Sequence, residues 1–245
     1  MRALRFHGAG KLSVEDAPEP GAPRPGEVLL RPLMCGICGT DLHEYTDGPI
    51  VTPASPHPLT GAELPQTLGH EFSALVVAAG PDVTHVRAGD LCTVMPLIYC
   101  GRCHECARGQ GHLCRTMACT GLSSAWGGLA DLATVSAAQV VPVPGTMTAR
   151  QAALIEPTAV AAYGVDRGRL QPGQTVLIRR RADRLAGRAV RARRGRPPGS
   201  DIRARSRTAR TGRRPGTGHR RGSDRRPGRG LRHRDHRRAD RRYRR

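Results

Sequence analysis

Aromatic side chains are scarce in this chain of 245 residues: two Phe, one Trp and four Tyr, 3% in all. Proteins that read nucleic acid by stacking need such rings among their basic residues. A dedicated nucleic-acid reader is therefore not expected, although the formal net charge is +20. No apolar run follows the first Met, and no run is long enough to cross a bilayer. No membrane partner is expected. With no secretory leader in view, the eight cysteines read as reduced thiols of a cytoplasmic protein, and a disulfide framework is not expected.

The charge is unevenly placed. Residues 179–245 hold 28 arginines, no lysine and five acidic residues, a net of +23, whereas residues 1–178 are slightly acidic. The large apolar residues of this basic segment are few (Leu185, Val190, Ile202, Leu231, Tyr243), too few to offset the entropy of ordering it. It is expected to be disordered and to attract polyanions without sequence preference.

Upstream, short apolar runs separated by Pro and Gly predict strands at Ala3–Phe6, Leu12–Glu15, Val28–Pro32, Phe72–Ala79, Leu91–Met95, Leu129–Val135 and Gln139–Val143. Residues 46–66 read as loop. Many short strands with turns between them imply a barrel-like β architecture. The period then changes, and Thr148–Asp166 suits one helix, with Pro157 near its first turns. Thr175–Ile178 reads as the first strand of a nucleotide-binding unit. The expected fold is mainly β with some α.

Cys100, Cys103, Cys106 and Cys114 follow the spacing C-x2-C-x2-C-x7-C. Three thiolates at every third position can converge on one ion, and the fourth closes a tetrahedron of sulfurs at ~2.3 Å from zinc. An iron–sulfur cluster suits the run less well, because no Cys-Pro follows. A closed shell of four thiolates supplies stability and leaves no position for a substrate.

The stretches CGICGTDLHEY (35–45), LGHEFSALVVAAGPDVTHVRAGD (68–90), the four-cysteine loop and ALIEPTAVAAYGV (153–165) resemble, in this order, the medium-chain zinc dehydrogenases. The likeness is to their polyol branch, which includes the 2,3-butanediol, sorbitol and threonine dehydrogenases. The resemblance implies a GroES-like barrel as the catalytic domain over 1–155. It also implies that 156–178 are the helix and first strand of an incomplete Rossmann domain, with 179–245 the basic tail. It further implies a catalytic zinc held by Cys38, His70 and Glu156, a nearby carboxylate in Glu71, and Asp41 orienting the ligands. Thr40 and His43 would carry the hydroxyl proton toward solvent. Thiolate, imidazole and carboxylate leave a fourth position open, where zinc lowers the pKa of a bound hydroxyl. A small alcohol or diol is the implied substrate, NAD or NADP the implied hydride acceptor, and a homo-oligomer the implied assembly.

Taken singly these residues say little. His70 beside Glu71 is an ordinary pair, Cys38 between glycines an ordinary packing residue, and Glu156 an ordinary helix-start carboxylate. Cys35, Cys92 and Cys119 read as small buried hydrophobes. A zinc module with no enzymatic role, built on the four-cysteine loop alone, is the competing reading.

The family pattern breaks after Ile178. Where a G-x-G-x-x-G turn is due, the chain reads Arg179-Arg180-Arg181-Ala182-Asp183-Arg184, so the coenzyme pyrophosphate has no glycine cradle. The codons CGG CGC CGG GCC GAT CGG would encode those six residues. Read one nucleotide later, the same bases encode Gly-Ala-Gly-Pro-Ile-Gly, the expected fingerprint.

Overall fold

Side chains that alternate in and out along short extended segments fold the first 143 residues into antiparallel strands. The computed structural model describes residues 1–171, 173–178 and 188–191. Its strands are β1 (Arg2–Gly8), β2 (Lys11–Asp16), β3 (Glu27–Gly36), β4 (Gln66–Thr67), β5 (Glu71–Ala79), β6 (Leu91–Val94), β7 (Leu97–Ile98), β8 (Ala118–Cys119), β9 (Ala133–Ser136), β10 (Val140–Pro142), β11 (Thr175–Ile178) and β12 (Arg188–Arg191). The helices among the described residues are α1 (Gly39–Asp47), α2 (His104–Ala107), α3 (Ala149–Ala153) and α4 (Ile155–Arg167). None is long and apolar enough to cross a membrane.

The main sheet has the order β10-β6-β5-β3-β9 and a smaller one the order β2-β1-β4. The main sheet is curled but open, because its outer strands β10 and β9 do not pair with each other. The expected barrel is thus a half-barrel within a mixed α/β domain. Its core follows the alternation: Val28 and Leu30 from β3, Phe72, Ala74 and Val76 from β5, Cys92 and Val94 from β6, with Val135 and Val140. Burying each larger apolar side chain here contributes about 1.5–3 kcal/mol. Phe6, Leu68 and Leu122 form a second cluster, between the small sheet and the segment that covers it.

Three expected elements differ. Leu129–Val135 is a strand only from Ala133, because its first part bonds elsewhere. Leu129 and Asp131 exchange backbone hydrogen bonds with Leu4, Leu68 and Arg2, tying the small sheet to the large one. The single helix expected over Thr148–Asp166 is two. Thr148 caps α3, with its hydroxyl accepting the Gln151 amide at 3.3 Å while the Gln151 Oε1 accepts the Thr148 amide, a capping box. Pro157 has no amide to offer the Ala153 carbonyl, so the chain turns at Leu154 and restarts as α4.

The third difference lies past residue 178. Arg188–Arg191, inside the segment expected to be disordered, pairs antiparallel with β11. A β11 continuing into a nucleotide-binding unit would have a parallel neighbour. An open strand edge is a template for whatever segment reaches it, and here that segment is β12. The expectations for 179–187 and 192–245 lie outside the described residues.

Candidate metal centres

The four-cysteine loop is a short-range construction. Gly101 and Gly109 take positive φ of 72° each, α2 separates them, and a single 3-10 turn at Gly111–Leu113 brings Cys114 back. All four sulfurs lie within 4.8 Å of one another. Cys100 Sγ and Cys106 Sγ are 4.0 Å apart, close to the ~3.8 Å separation of two sulfurs on a tetrahedral zinc at ~2.3 Å. The Cys103 amide donates to Cys100 Sγ at 3.4 Å and the Cys100 amide to Cys114 Sγ at 3.3 Å. Backbone amides of Arg102 and Cys103 hold the Cys100 thiol down at about 6, and the Cys100 amide lowers Cys114. Burial and the neighbouring sulfurs push Cys106 up to about 12. Four thiols this close, with amides directed at two of the sulfurs, form a donor set that suits one divalent cation. Arg115, next to Cys114, clasps Glu105 at 3.2 Å and so closes the loop across its mouth.

The second centre is assembled from distant elements. Cys38 is the residue immediately before α1, His70 precedes β5, and Glu71 begins it. One ligand atom from each lies within 4.8 Å of the other two. Gly36 on β3 pairs across the sheet with Glu71. A Cβ at position 36 would come to 2.5 Å from Glu71 Oε2, so glycine there gives the carboxylate its place. Gly69 has φ of 99°, and its carbonyl accepts the Gly128 amide at 2.7 Å. The segment 119–129 thereby lies directly over the turn that carries His70.

Asp41 joins the parts. Its Oδ2 accepts the Cys38 amide at 2.8 Å, while Oδ1 stands 3.6 Å from His70 Nδ1. Both Asp41 Oδ1 and His70 Nδ1 are buried without a hydrogen-bond partner. Burial works against charge on His70, yet Asp41 and then Cys38 outweigh it and raise the imidazole to about 9. A proton held this firmly marks a surplus of negative charge around the ring. A soft thiolate, an imidazole and a carboxylate also form a donor set that suits zinc.

The other predicted residues fall as follows. Thr40 is half-buried, its hydroxyl oxygen 3.6 Å from Cys38 Sγ. His43 is exposed one turn later on α1. Glu156, in the first turn of α4, is not in the 4.8 Å set, whereas Glu71 is. It is nevertheless a near neighbour: its carboxyl is raised by burial and then by Glu71, against the pull of His70. Cys35, Cys92 and Cys119 are each pushed up to about 12, chiefly by burial, as befits packing thiols. A groove of about 460 Å³ between β1 and the outer half of β3, lined by Leu33, Met34 and Leu129, includes none of the predicted ligands. Sequence reasoning passed over Glu44, a carboxylate wholly buried at 0% exposure. The neighbouring Gly48, where a Cβ would press on this carboxylate, marks the position only once the structure is in hand.

Comparison with known proteins follows the same residues. Residues 24–145 match the family model of the alcohol dehydrogenase GroES-like domain. The (R,R)-butanediol dehydrogenase of Neisseria gonorrhoeae is 38% identical over 183 residues, 73% of this chain and 51% of that protein. The L-threonine 3-dehydrogenase of Pyrococcus furiosus is 37% identical over 178 residues, 73% of this chain and 47% of that protein. Among solved structures, 2R,3R-butanediol dehydrogenase from Bacillus subtilis superposes with a TM-score of 0.64 at 35% identity, covering 70% of this chain and 48% of that one. The chain spans about half the length of the curated relatives it matches.

Proposed function

Because this chain belongs to the medium-chain dehydrogenase/reductase family, with a GroES-like alcohol dehydrogenase domain related to butanediol dehydrogenases, we propose that it carries the metal-binding half of a zinc-dependent, NAD(P)-linked oxidoreductase. Its substrate class is a small alcohol or diol such as 2,3-butanediol. The observation that carries this reading is the meeting of Cys38, His70 and Glu71 within 4.8 Å. In it, residues 1–155 are the catalytic domain and 156–178 the beginning of a nucleotide-binding domain.

Cys38, His70 and a carboxylate would hold the catalytic zinc, and Cys100, Cys103, Cys106 and Cys114 the structural one. Bound zinc supplies Lewis acidity, which makes a hydroxyl beside it acidic near neutral pH. Everything else falls to the protein. Glu156 would be the third ligand, and Glu71, which already stands within 4.8 Å of Cys38 and His70, would be the nearby carboxylate that exchanges with water there. Asp41, with Oδ1 3.6 Å from Nδ1, would orient the His70 ring by charge and so favour which nitrogen faces the centre. Thr40, inside, would take up the proton leaving a substrate hydroxyl while releasing its own toward His43, which, outside, would pass a proton to water. The eight cysteines are free, and thiolate ligands require a reducing compartment such as the cytoplasm.

Oxidation of an alcohol also needs a hydride acceptor, and the six residues after Ile178 contain no glycine. We take the chain on its own to bind zinc and alcohol without turning alcohol over. Cobalt substitution tests the site. 2,3-Butanediol should shift the visible bands of the cobalt protein, and Cys38→Ser should abolish the shift. A wild-type spectrum that the diol leaves unchanged at saturating concentration would refute the substrate site. Purified protein should show no NAD⁺ or NADP⁺ reduction with the diol, and a clear rate would refute the inactivity. In this reading the residues after Ile178 are the product of a frameshift that replaces the glycine-rich turn; DNA under codons 179–184 that encodes no G-x-G-x-x-G in another frame would refute it.

A further inference from the structure

A helix usually docks through an apolar stripe. Helix α1 does not. Its two buried side chains are carboxylates, Asp41 and Glu44, one turn apart on the same face. Leu42 and Tyr45 stay 57% and 41% exposed. Asp41 faces the Cys38–His70 centre. Glu44 faces the following loop: Oε2 accepts the Ile50 amide at 3.0 Å and the Thr52 hydroxyl at 2.5 Å, and Oε1 accepts the Val51 amide at 2.5 Å. Gly48 lies against the same carboxylate, where a Cβ would approach Oε2 to 2.7 Å.

Keeping Glu44 there is costly. It sits toward the C-terminal end of α1, where the helix dipole disfavours negative charge, and no basic residue occupies that last turn. A buried carboxylate held only by neutral donors needs every one of them. The proton path through Thr40 and His43 makes no use of it. The helix is pinned at its start by the centre, through Cys38 and Asp41, and at its end by the loop, through Glu44, with one further backbone tie where the Gly10 amide donates to the Tyr45 carbonyl at 2.6 Å. With no apolar face to hold it otherwise, loosening the pin at one end reaches the other through a single backbone bond.

We infer that Glu44 is a positioning residue that makes the Cys38 centre and the 48–52 loop one ordering unit, so that filling the centre with metal secures the loop and securing the loop tightens the centre. This rests on the metal reading of Cys38, His70 and Glu71 given above. The exposed Ile50 and Val51 are then held in place only while the centre is filled, although neither is a ligand.

Hydrogen exchange at the Ile50 and Val51 amides of the full zinc-loaded chain tests this, alongside cobalt absorption as an independent readout of the centre. In Cys38→Ser these two amides should exchange at least tenfold faster than in wild type. Glu44→Gln places an NH2 where an acceptor oxygen is required. It should speed exchange at the same amides at least tenfold and weaken cobalt binding at the Cys38 centre at least threefold, while the four-cysteine zinc stays bound. Thr52→Val, which keeps the carboxylate and folds more readily, should move both readouts the same way by a smaller factor. A Cys38-dependent cobalt band together with equal exchange in wild type and Cys38→Ser would overturn the coupling and leave the metal reading standing. Absence of any Cys38-dependent band would overturn both. No shift in either readout for Thr52→Val would also overturn the coupling.

Discussion

The two candidate metal centres share a chemistry and differ in how the chain builds them. The four sulfurs at 100–114 come from one loop of fifteen residues, positioned by local turns and by amide-to-sulfur hydrogen bonds. The Cys38–His70–Glu71 centre comes from a helix start, a turn and a strand, brought together only when β3 and β5 pair across the main sheet. A local site depends on its own loop; an assembled site inherits every weakness of the fold beneath it. The lesson is that metal affinity at the second centre reports on packing far from the ligands, and affinity at the first does not.

The largest effect should come from breaking the local site. Cys103→Ser removes one of four thiolates and should cost structural zinc and lower the melting temperature by on the order of 10 °C, as followed by calorimetry. The Cys38-dependent cobalt band should survive at temperatures where the rest stays folded. Phe72→Ala reverses the pattern. Phe72 is fully buried in the core beside Glu71, and its loss should cost about 3–5 kcal/mol in denaturant titration. The second centre should then lose metal before the first.

How much of this was legible in the sequence follows the same division. The first centre could be read from spacing alone, because its geometry is set within fifteen residues. Cys38, His70 and Glu156 could be proposed only through resemblance to a family, since nothing local says that residues 38 and 70 meet. That Glu71 stands closer to Cys38 and His70 than Glu156 does was not readable. It depends on Gly36, thirty-five positions away, leaving space across a strand pair. Most strands were legible from alternation. The break at Leu154 was not, because a proline near a helix start is compatible with one helix or two. Glu44 escaped notice because a lone glutamate on an exposed-looking helix gives no sign of burial.

Smaller changes sharpen the comparison. Gly36→Ala should cost about 1–3 kcal/mol by crowding Glu71 and weaken metal binding at the assembled centre about tenfold, leaving the four-cysteine zinc untouched in a chelator competition. Glu105→Gln should do least. It weakens the pairing with Arg115, whose guanidinium is largely in solvent, and the longer one with His104, and rim pairs of that kind contribute little. The melting temperature and both metal sites should stay as in wild type, and a large loss of structural zinc would show that the local site is less self-sufficient than its geometry implies.

The most direct measurement is zinc per chain by atomic emission, in wild type and in Cys38→Ser. Two independent centres predict close to two zinc ions per wild-type chain and close to one in the variant, with the remaining ion resisting the chelator as strongly as before. A wild-type value near one that Cys38→Ser leaves unchanged would contradict the account and reduce the protein to its four-cysteine loop.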